Sequence, residues 1–211
     1  MKLRTYCLLA TALCGVISLG PQAIAGTEPR LVVTDTRLRL EGDSTLHPYA
    51  SRTRDLRIVA SLAPGKAKAG SLEDLLAAGH LAALEVTIPV KSLKSGEGLL
   101  DTNLYRALEA DRHPHIRFRL TRYKARPTGN GDITVRAEGT LSVAGTERDV
   151  SLEARGDVSG GKVCLAGSYD LLMSDYGVRP PVLMLGAIKV KDRISIHYEL
   201  LGEIPETVSG R

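Results

Sequence analysis

Apolar and polar residues alternate along most of this 211-residue chain, and this restricts its fold more than any other feature of the sequence. In the clearest case, Ile116, Phe118 and Leu120 are each followed by a polar residue. Residues i and i+2 of a strand lie on one face, so the pattern predicts strands with one buried and one solvated face. Similar runs predict about eight strands, near residues 37–41, 53–61, 84–90, 116–121, 133–143, 150–154, 163–169 and 188–200. Such strands form either a closed antiparallel barrel or a two-sheet sandwich.

Two segments depart from this pattern and have helical spacing. Residues 71–79 predict a short helix with a cap at Ser71 or Gly70. Residues 98–110 predict a second helix, which ends before Pro114 because proline disfavours helix at the preceding residue. Its apolar face predicts packing against the barrel or cover for one end of it, and comprises Leu100, Leu104, Ala107 and Leu108.

The first 25 residues have the layout of a secretory signal peptide. A basic start at Lys2 and Arg4 precedes an apolar run over residues 6–19, and small residues stand at Ala23 and Ala25. We therefore expect cleavage after Ala25, export to the periplasm or the exterior, and one mature domain over residues 26–211. No later stretch is long and apolar enough to predict stable membrane insertion.

Charge and cysteine content restrict the partners and the fold of the mature chain. Its 26 basic and 24 acidic residues give a net charge of +2, so no nucleic-acid partner is predicted. Cys164 is the one cysteine after residue 25, so no internal disulfide is expected. Aromatic residues make up 4% of the chain and tryptophan is absent. A small eight-stranded barrel is either filled by its side chains or holds one small ligand, and this composition leaves both open.

Four segments of the chain carry a family resemblance. They are EGDSTLHP at residues 41–48, the stretch 88–118 with its "SLKSG", "LDTNLYRAL" and "HPHIRF" pieces, GTLSVAGTERDV at 139–150, and SDYGV at 174–178. Together these segments resemble the YceI family of exported lipid-binding proteins. The resemblance implies an all-β, eight-stranded antiparallel barrel of the extended lipocalin-like kind, with one or two short helices. It also implies that the barrel interior holds a long polyisoprenoid chain.

A lipid carrier needs an apolar interior and no catalytic groups, because burial of hydrocarbon alone is favourable. We therefore predict binding, sequestration or transport of a polyisoprenoid or isoprenoid quinone in the cell envelope. No cofactor beyond such a lipid is expected, and a homodimer stays open. The residues predicted to line the cavity alternate on single faces of central strands: Val86, Ile88, Ile116, Phe118, Leu120 and Leu141.

A few residues could serve other functions. Lys91, Lys94 and Arg106 could contact a lipid head group, although a solvated surface is the simpler interpretation. A hydrolase or metal site would have to use Ser44, His47 and His113, with His115 two residues further on. No nucleophile elbow, phosphate loop or zinc motif supports it, so neither an enzyme nor a metal site is predicted. A barrel with a filled core, serving as an interaction or stress-protection module, is the remaining alternative.

Overall fold

The computed structural model describes residues 32–62, 81–129, 132–159 and 162–203. The predicted signal peptide at residues 1–25 and the predicted helix at 71–79 lie outside these ranges. The strands of the described part are β1 Val32–Ser44, β2 Tyr49–Thr53, β3 Arg57–Leu62, β4 Leu81–Pro89, β5 His115–Gly129, β6 Asp132–Val143, β7 Thr146–Ser159, β8 Lys162–Leu172, β9 Val182–Leu183 and β10 Ile188–Glu203. The described helices are α1 Gly98–Ala107 and three short 3₁₀ turns at Val90–Ser92, Met173–Tyr176 and Met184–Gly186.

The strands form one antiparallel sheet in the order β2-β1-β10-β8-β7-β6-β5-β4-β3, and β9 pairs with β10. β2 and β3 stand at opposite ends of this order, yet residues 54–56 alone separate them in the chain. They therefore act as one bent strand, which pairs with β1 through its first half and with β4 through its second half. With β2 and β3 counted together and the two-residue β9 set aside, eight strands enclose the interior, which confirms the predicted eight-stranded antiparallel barrel.

A β-bulge in β5 changes which of its residues face inward. The pairing of β5 with β6 slips between Leu120 and Arg122. Before the slip, Ile116, Phe118 and Leu120 are the more buried residues, and after it the half-buried ones are Tyr123 and Ala125. An extra residue in one strand shifts the alternation by one position and bends the strand. The first series of inward-facing residues in β5 therefore ends at Leu120.

The helix α1 ends three residues before the predicted end at Ala110. Its last turn closes with hydrogen bonds from Ala110 N to Tyr105 O, at 2.9 Å, and from Glu109 N to Arg106 O, at 3.1 Å. Glu109 adopts a left-handed φ of 49°. These are the features of a Schellman motif, in which a glycine normally takes the left-handed position. The helix thus ends at its own cap, upstream of Pro114.

The best-buried side chains lie where the end of β4 meets α1. Val90 and Leu93 are 1% and 0% exposed, and Leu108 and Ala110 from the end of the helix belong to the buried core. Tyr105 ties the helix to this region, since its hydroxyl donates to Leu93 O at 2.7 Å. No helix within the described ranges is long and apolar enough to cross a membrane.

Candidate functional site

The barrel encloses an apolar cavity of about 250 Å³. On β10 its lining runs from Val190 to Leu200, which pair with Ser44 and Thr36 of β1, eight residues apart, and at about 3.3 Å per residue this is about 26 Å along the strand. β1 contributes Thr36, Leu38 and Leu40. A small volume spread over such a length makes the cavity narrow, and we call it the tunnel.

Five of the six residues predicted to line the cavity do so in the structure: Val86, Ile88, Ile116, Phe118 and Leu141. Leu120 is the sixth predicted residue. It is half-buried and packs against the core, but it does not line the cavity. The register slip that directly follows Leu120 explains the difference, because the strand bends there. Contact of the five with a ligand stays a prediction.

The apolar face of α1 forms one wall of the tunnel. All four residues predicted for that face line the cavity, namely Leu100, Leu104, Ala107 and Leu108. Side chains three and four residues apart share a helix face, so this spacing directs them together into the barrel. The helix therefore belongs to the site as well as to the packing of the barrel.

Three aromatic rings lie across glycines of neighbouring strands. Tyr49 is paired with Gly42, and Tyr198 is paired with Gly167. A Cβ on Gly42 would overlap the Tyr49 ring, and one on Gly167 would lie 2.6 Å from Cε2 of Tyr198. At the third glycine, Gly139, an added Cβ would lie 2.8 Å from Cζ of Phe118. At Gly42 the three nearest atoms all belong to Tyr49, whereas at Gly167 and Gly139 the backbone carbonyls of Glu153 and Arg119 lie nearer than the rings. Because a glycine has no side chain, each ring can lie along the wall.

The tunnel wall also carries tyrosine hydroxyls. Burial raises the pKa of Tyr49, Tyr176 and Tyr198 to about 12, so all three are protonated at neutral pH. The Tyr198 hydroxyl donates to Glu153 O at 2.9 Å. The Tyr49 and Tyr176 hydroxyls have no hydrogen-bond partner within the described residues, and both side chains line the cavity. A neutral phenol is a hydrogen-bond donor, so these groups could bind an oxygen atom of a ligand.

Asn103 places a polar amide in the same lining. Asn103 is 8% exposed, and its Oδ1 accepts a long hydrogen bond of 3.4 Å from Nη1 of Arg106. Among the residues that the structure describes, its NH₂ group has no partner. A buried amide without full hydrogen bonding is costly, which makes Asn103 a second candidate for contact with a polar group of a ligand.

The comparison with known proteins identifies the family. A family model for the YceI-like domain matches residues 51–201. The chain belongs to the YceI-like family. The sequence resemblance is thereby confirmed, and the tunnel is a feature of a YceI-like barrel. No curated protein matches the chain significantly in sequence.

Solved structures show the same fold at low sequence identity. A polyisoprenoid-binding domain from Saccharophagus degradans, implicated in plant cell wall breakdown, matches with a TM-score of 0.62 and 10% identity, over 84% of this chain and 99% of that one. Burkholderia cenocepacia BcnA matches with 0.58 and 15%, over 79% and 95%. The Campylobacter jejuni YceI protein matches with 0.52 and 19%, over 74% and 85%. These likenesses establish the fold of the YceI-like chain.

The cationic residues considered for a head group lie outside the tunnel lining of this YceI-like barrel. Lys91 is 2.7 Å from Asp111, and Lys94 lies 5.1 Å from the centre of the Tyr105 ring. Arg106 reaches the tunnel indirectly, through its contact with Asn103. The helical spacing could have predicted Asn103 as a tunnel residue. Asn103 is three residues after Leu100, so the two side chains share a face of α1.

The residues of the alternative hydrolase site do not form a catalytic arrangement. The Ser44 hydroxyl donates to His47 O at 2.9 Å and accepts from His47 N, so it stabilises a turn. The His47 ring nitrogen Nδ1 is 2.8 Å from Pro48 O. His113 packs its ring beside Gly145. In the described ranges, no three His, Cys, Asp or Glu residues are placed to hold a metal.

Proposed function

We propose that this YceI-like protein binds one long apolar lipid chain, a polyisoprenoid or an isoprenoid quinone, and sequesters or carries it in the cell envelope. The observation that carries the proposal is the long narrow cavity lined by aliphatic side chains. The Saccharophagus degradans domain of the same fold is described as polyisoprenoid-binding, which supports this class of ligand. The signal-like residues 1–25 support export and a periplasmic or secreted location.

Burial of hydrocarbon is sufficient to hold such a ligand without catalytic groups. Removal of about 300 Å² of apolar surface from water contributes about 7.5 kcal/mol, before the ordering of the chain is subtracted. The preformed tunnel reduces that ordering cost on the protein side. Binding without chemistry is therefore the function that this interior supports best.

The polar groups in the tunnel favour a ligand with an oxygen-bearing head. The Tyr49 hydroxyl, the Tyr176 hydroxyl and the Asn103 amide are donors without a partner among the described residues, in a lining that is mostly aliphatic. Hydrogen bonds in such surroundings are strong, and an unpaired donor is unfavourable. An alcohol, a carbonyl or a phosphate oxygen would satisfy one of them while the chain occupies the aliphatic part.

Mass spectrometry of the purified protein tests the proposal. We expect native spectra to show a bound hydrocarbon lipid, and solvent extracts to release it. After delipidation, the protein should take up a fluorescent prenyl alcohol. The variant Ile196→Trp places an indole in the tunnel and should lose uptake, because Ile196 lines the cavity. Val59→Trp is the matched control, since Val59 is 55% exposed.

Two outcomes would contradict the proposal. One is a protein that carries no lipid and takes up no prenyl probe after delipidation. The other is equal uptake by Ile196→Trp and by Val59→Trp, provided that both variants keep the β-rich circular dichroism of the parent. Either result would favour the alternative of an interaction or stress-protection module.

A further inference from the structure

A hairpin at one end of the tunnel exposes apolar side chains on a strained backbone. β9 and β10 pair through Leu183 with Ile188 and Val182 with Lys189, and Met184 and Leu185 form the turn. Leu185 is fully exposed, and Met184 is 75% exposed. Both have left-handed φ values, of 49° and 52°. This conformation is unfavourable for residues with side chains and is rare for large apolar ones. The turn therefore presents these two apolar side chains to solvent at a cost in backbone strain.

The loop between β1 and β2 joins this hairpin and enlarges the exposed apolar surface. Thr45 N donates to Lys189 O at 3.0 Å, and Lys189 N donates to the Thr45 hydroxyl at 3.1 Å. Leu46, the next residue, is 64% exposed, and Val182 is 61% exposed. We call this surface the apolar tip, and it comprises Leu46, Val182, Met184 and Leu185.

Two cations near the apolar tip in sequence have no ion-pair partner among the residues that the structure describes. Lys189 and Arg179 are both exposed, and neither makes an ion pair with a residue that the structure describes. Lys191 contacts Asp43 at 2.5 Å, so this aspartate is already paired. An apolar surface edged by free cations is complementary to a bilayer with anionic head groups, which attracts each cation and accepts the apolar side chains.

The tunnel begins at the base of the same hairpin. Pro181, directly before β9, and Val190, on β10, both line the cavity. The tunnel lining therefore begins only a few residues from the apolar tip. A lipid that leaves a bilayer at the tip would have little of its hydrocarbon exposed to water before it enters the tunnel.

We propose that the apolar tip docks the protein on the surface of an anionic lipid bilayer and places this end of the tunnel against it. The inference rests on the proposed function, because it supplies the route by which the lipid chain enters. Insertion is shallow, since the tip consists of four side chains. A second copy of the chain is the competing occupant of this surface, and the experiment below separates the two.

Vesicle flotation tests the docking with delipidated full-length protein. We expect binding to phosphatidylcholine vesicles that contain phosphatidylglycerol, weaker binding to pure phosphatidylcholine, and loss of binding at high salt. The double variant Met184→Ser/Leu185→Ser should bind at least about tenfold more weakly, because it removes two apolar side chains from the contact. Lys189→Glu should lower binding to the anionic vesicles alone. Val59→Ser, on the barrel wall and 55% exposed, should bind like the parent.

Uptake of a dispersed prenyl alcohol from solution distinguishes failure of docking from failure of the proposed function. The Met184→Ser/Leu185→Ser variant should keep this uptake, while its transfer from vesicles becomes slower. Equal flotation of the parent and this variant would overturn the docking proposal, whatever the uptake. A parent that is dimeric in solution and becomes monomeric in this variant would also overturn it, because the tip would then be an interface between copies.

Discussion

The pairing of Tyr49 with Gly42 offers a sharp test of how the tunnel stays open. Gly42 on β1 lies opposite Tyr49 on β2, and the tyrosine ring lines the cavity. The three atoms nearest to a Cβ on Gly42 all belong to the Tyr49 side chain. The substitution Gly42→Ala therefore displaces the ring, and we expect it to move into the tunnel, which it already lines.

The magnitudes for stability and for ligand binding differ, which makes the test informative. Overpacking of this kind costs about 1–3 kcal/mol, and replacement of glycine in a strand offsets about 0.5–1 kcal/mol of it. We expect the free energy of unfolding to fall by about 1 kcal/mol. A displaced ring that takes the place of about 100 Å² of ligand surface removes about 2.5 kcal/mol of binding, a factor of about 70 in Kd.

The assay is titration of a fluorescent prenyl alcohol into delipidated protein, with chemical denaturation to follow stability. Gly98→Ala is the matched control, because an added Cβ there meets no atom within 4 Å. The double variant Gly42→Ala/Tyr49→Leu should recover uptake, since the alanine then has no ring to displace. Full uptake by Gly42→Ala at parental stability would refute the reasoning, as would a double variant that binds no better than the single one.

Three further predictions concern groups around the tunnel. Asp101→Ala should destabilise the protein by about 1–2 kcal/mol, because the carboxylate accepts hydrogen bonds from Ser95 N at 2.7 Å and from the Ser95 hydroxyl at 2.6 Å, whereas Asp111→Ala should be nearly neutral. The Ser95 hydrogen bonds lower the pKa of Asp101, so its contribution to stability is present above the ordinary pKa of 3.8 and disappears as the pH falls through the lower folded pKa. Acid denaturation of the two variants measures this difference. Asn103→Leu should leave stability unchanged or raise it by about 1 kcal/mol, and should weaken binding of a prenyl alcohol, but not of a plain hydrocarbon, by about tenfold, as competition titrations would show. A pH titration followed by tyrosinate absorbance should show that Tyr49, Tyr176 and Tyr198 ionise late, and a single transition at the ordinary pKa would contradict this. Because their folded pKa of about 12 lies above the ordinary 10.0, their contribution to stability is present below pH 10 and disappears as the pH rises toward 12.

The barrel follows from alternation because a strand has one inner and one outer face. The apolar series of β6 over Ile133, Ala137 and Leu141 needs no long-range information, and neither does that of β10. Closure is different, since the pattern predicts a strand at residues 53–61, which covers most of β3 but only the last residue of β2, and these two strands pair with different neighbours. The choice between barrel and sandwich depends on those pairings, which alternation does not encode, so the family resemblance was needed to decide it.

Two features that the residue pattern does not show are local irregularities of the backbone. The bulge after Leu120 involves Thr121, a good strand residue that gives no sign of it. The helix end uses Glu109 with a left-handed φ where glycine is usual, so the sequence carried no stop signal before Pro114. In each case tertiary packing overrides local preference, and patterns of residue type miss it.

The prediction of the site was right about its apolar walls and incomplete about its aromatic and polar groups. Low aromatic content suggested an interior of small aliphatic side chains. Four tyrosines nevertheless line the tunnel, although the chain has only seven: Tyr49, Tyr169, Tyr176 and Tyr198. Tyr169 and Tyr198 continue inward series, so their position was visible in the pattern, whereas Tyr176 lies in a 3₁₀ turn that has no strand period.

The glycines in these strands reconcile the tyrosines with an open interior. An aromatic ring in a narrow barrel would normally project to the centre and fill it, as the filled-core alternative requires. Opposite Gly42 and Gly167, the rings of Tyr49 and Tyr198 instead occupy the space that a neighbouring side chain would take. Each ring thereby contributes buried area to the wall without closing the tunnel. We therefore expect Gly42, more than the identity of the aliphatic residues, to decide whether this barrel stays hollow. Aliphatic exchanges such as Ile196→Val should therefore leave prenyl uptake nearly intact, whereas alanine at Gly42 should not.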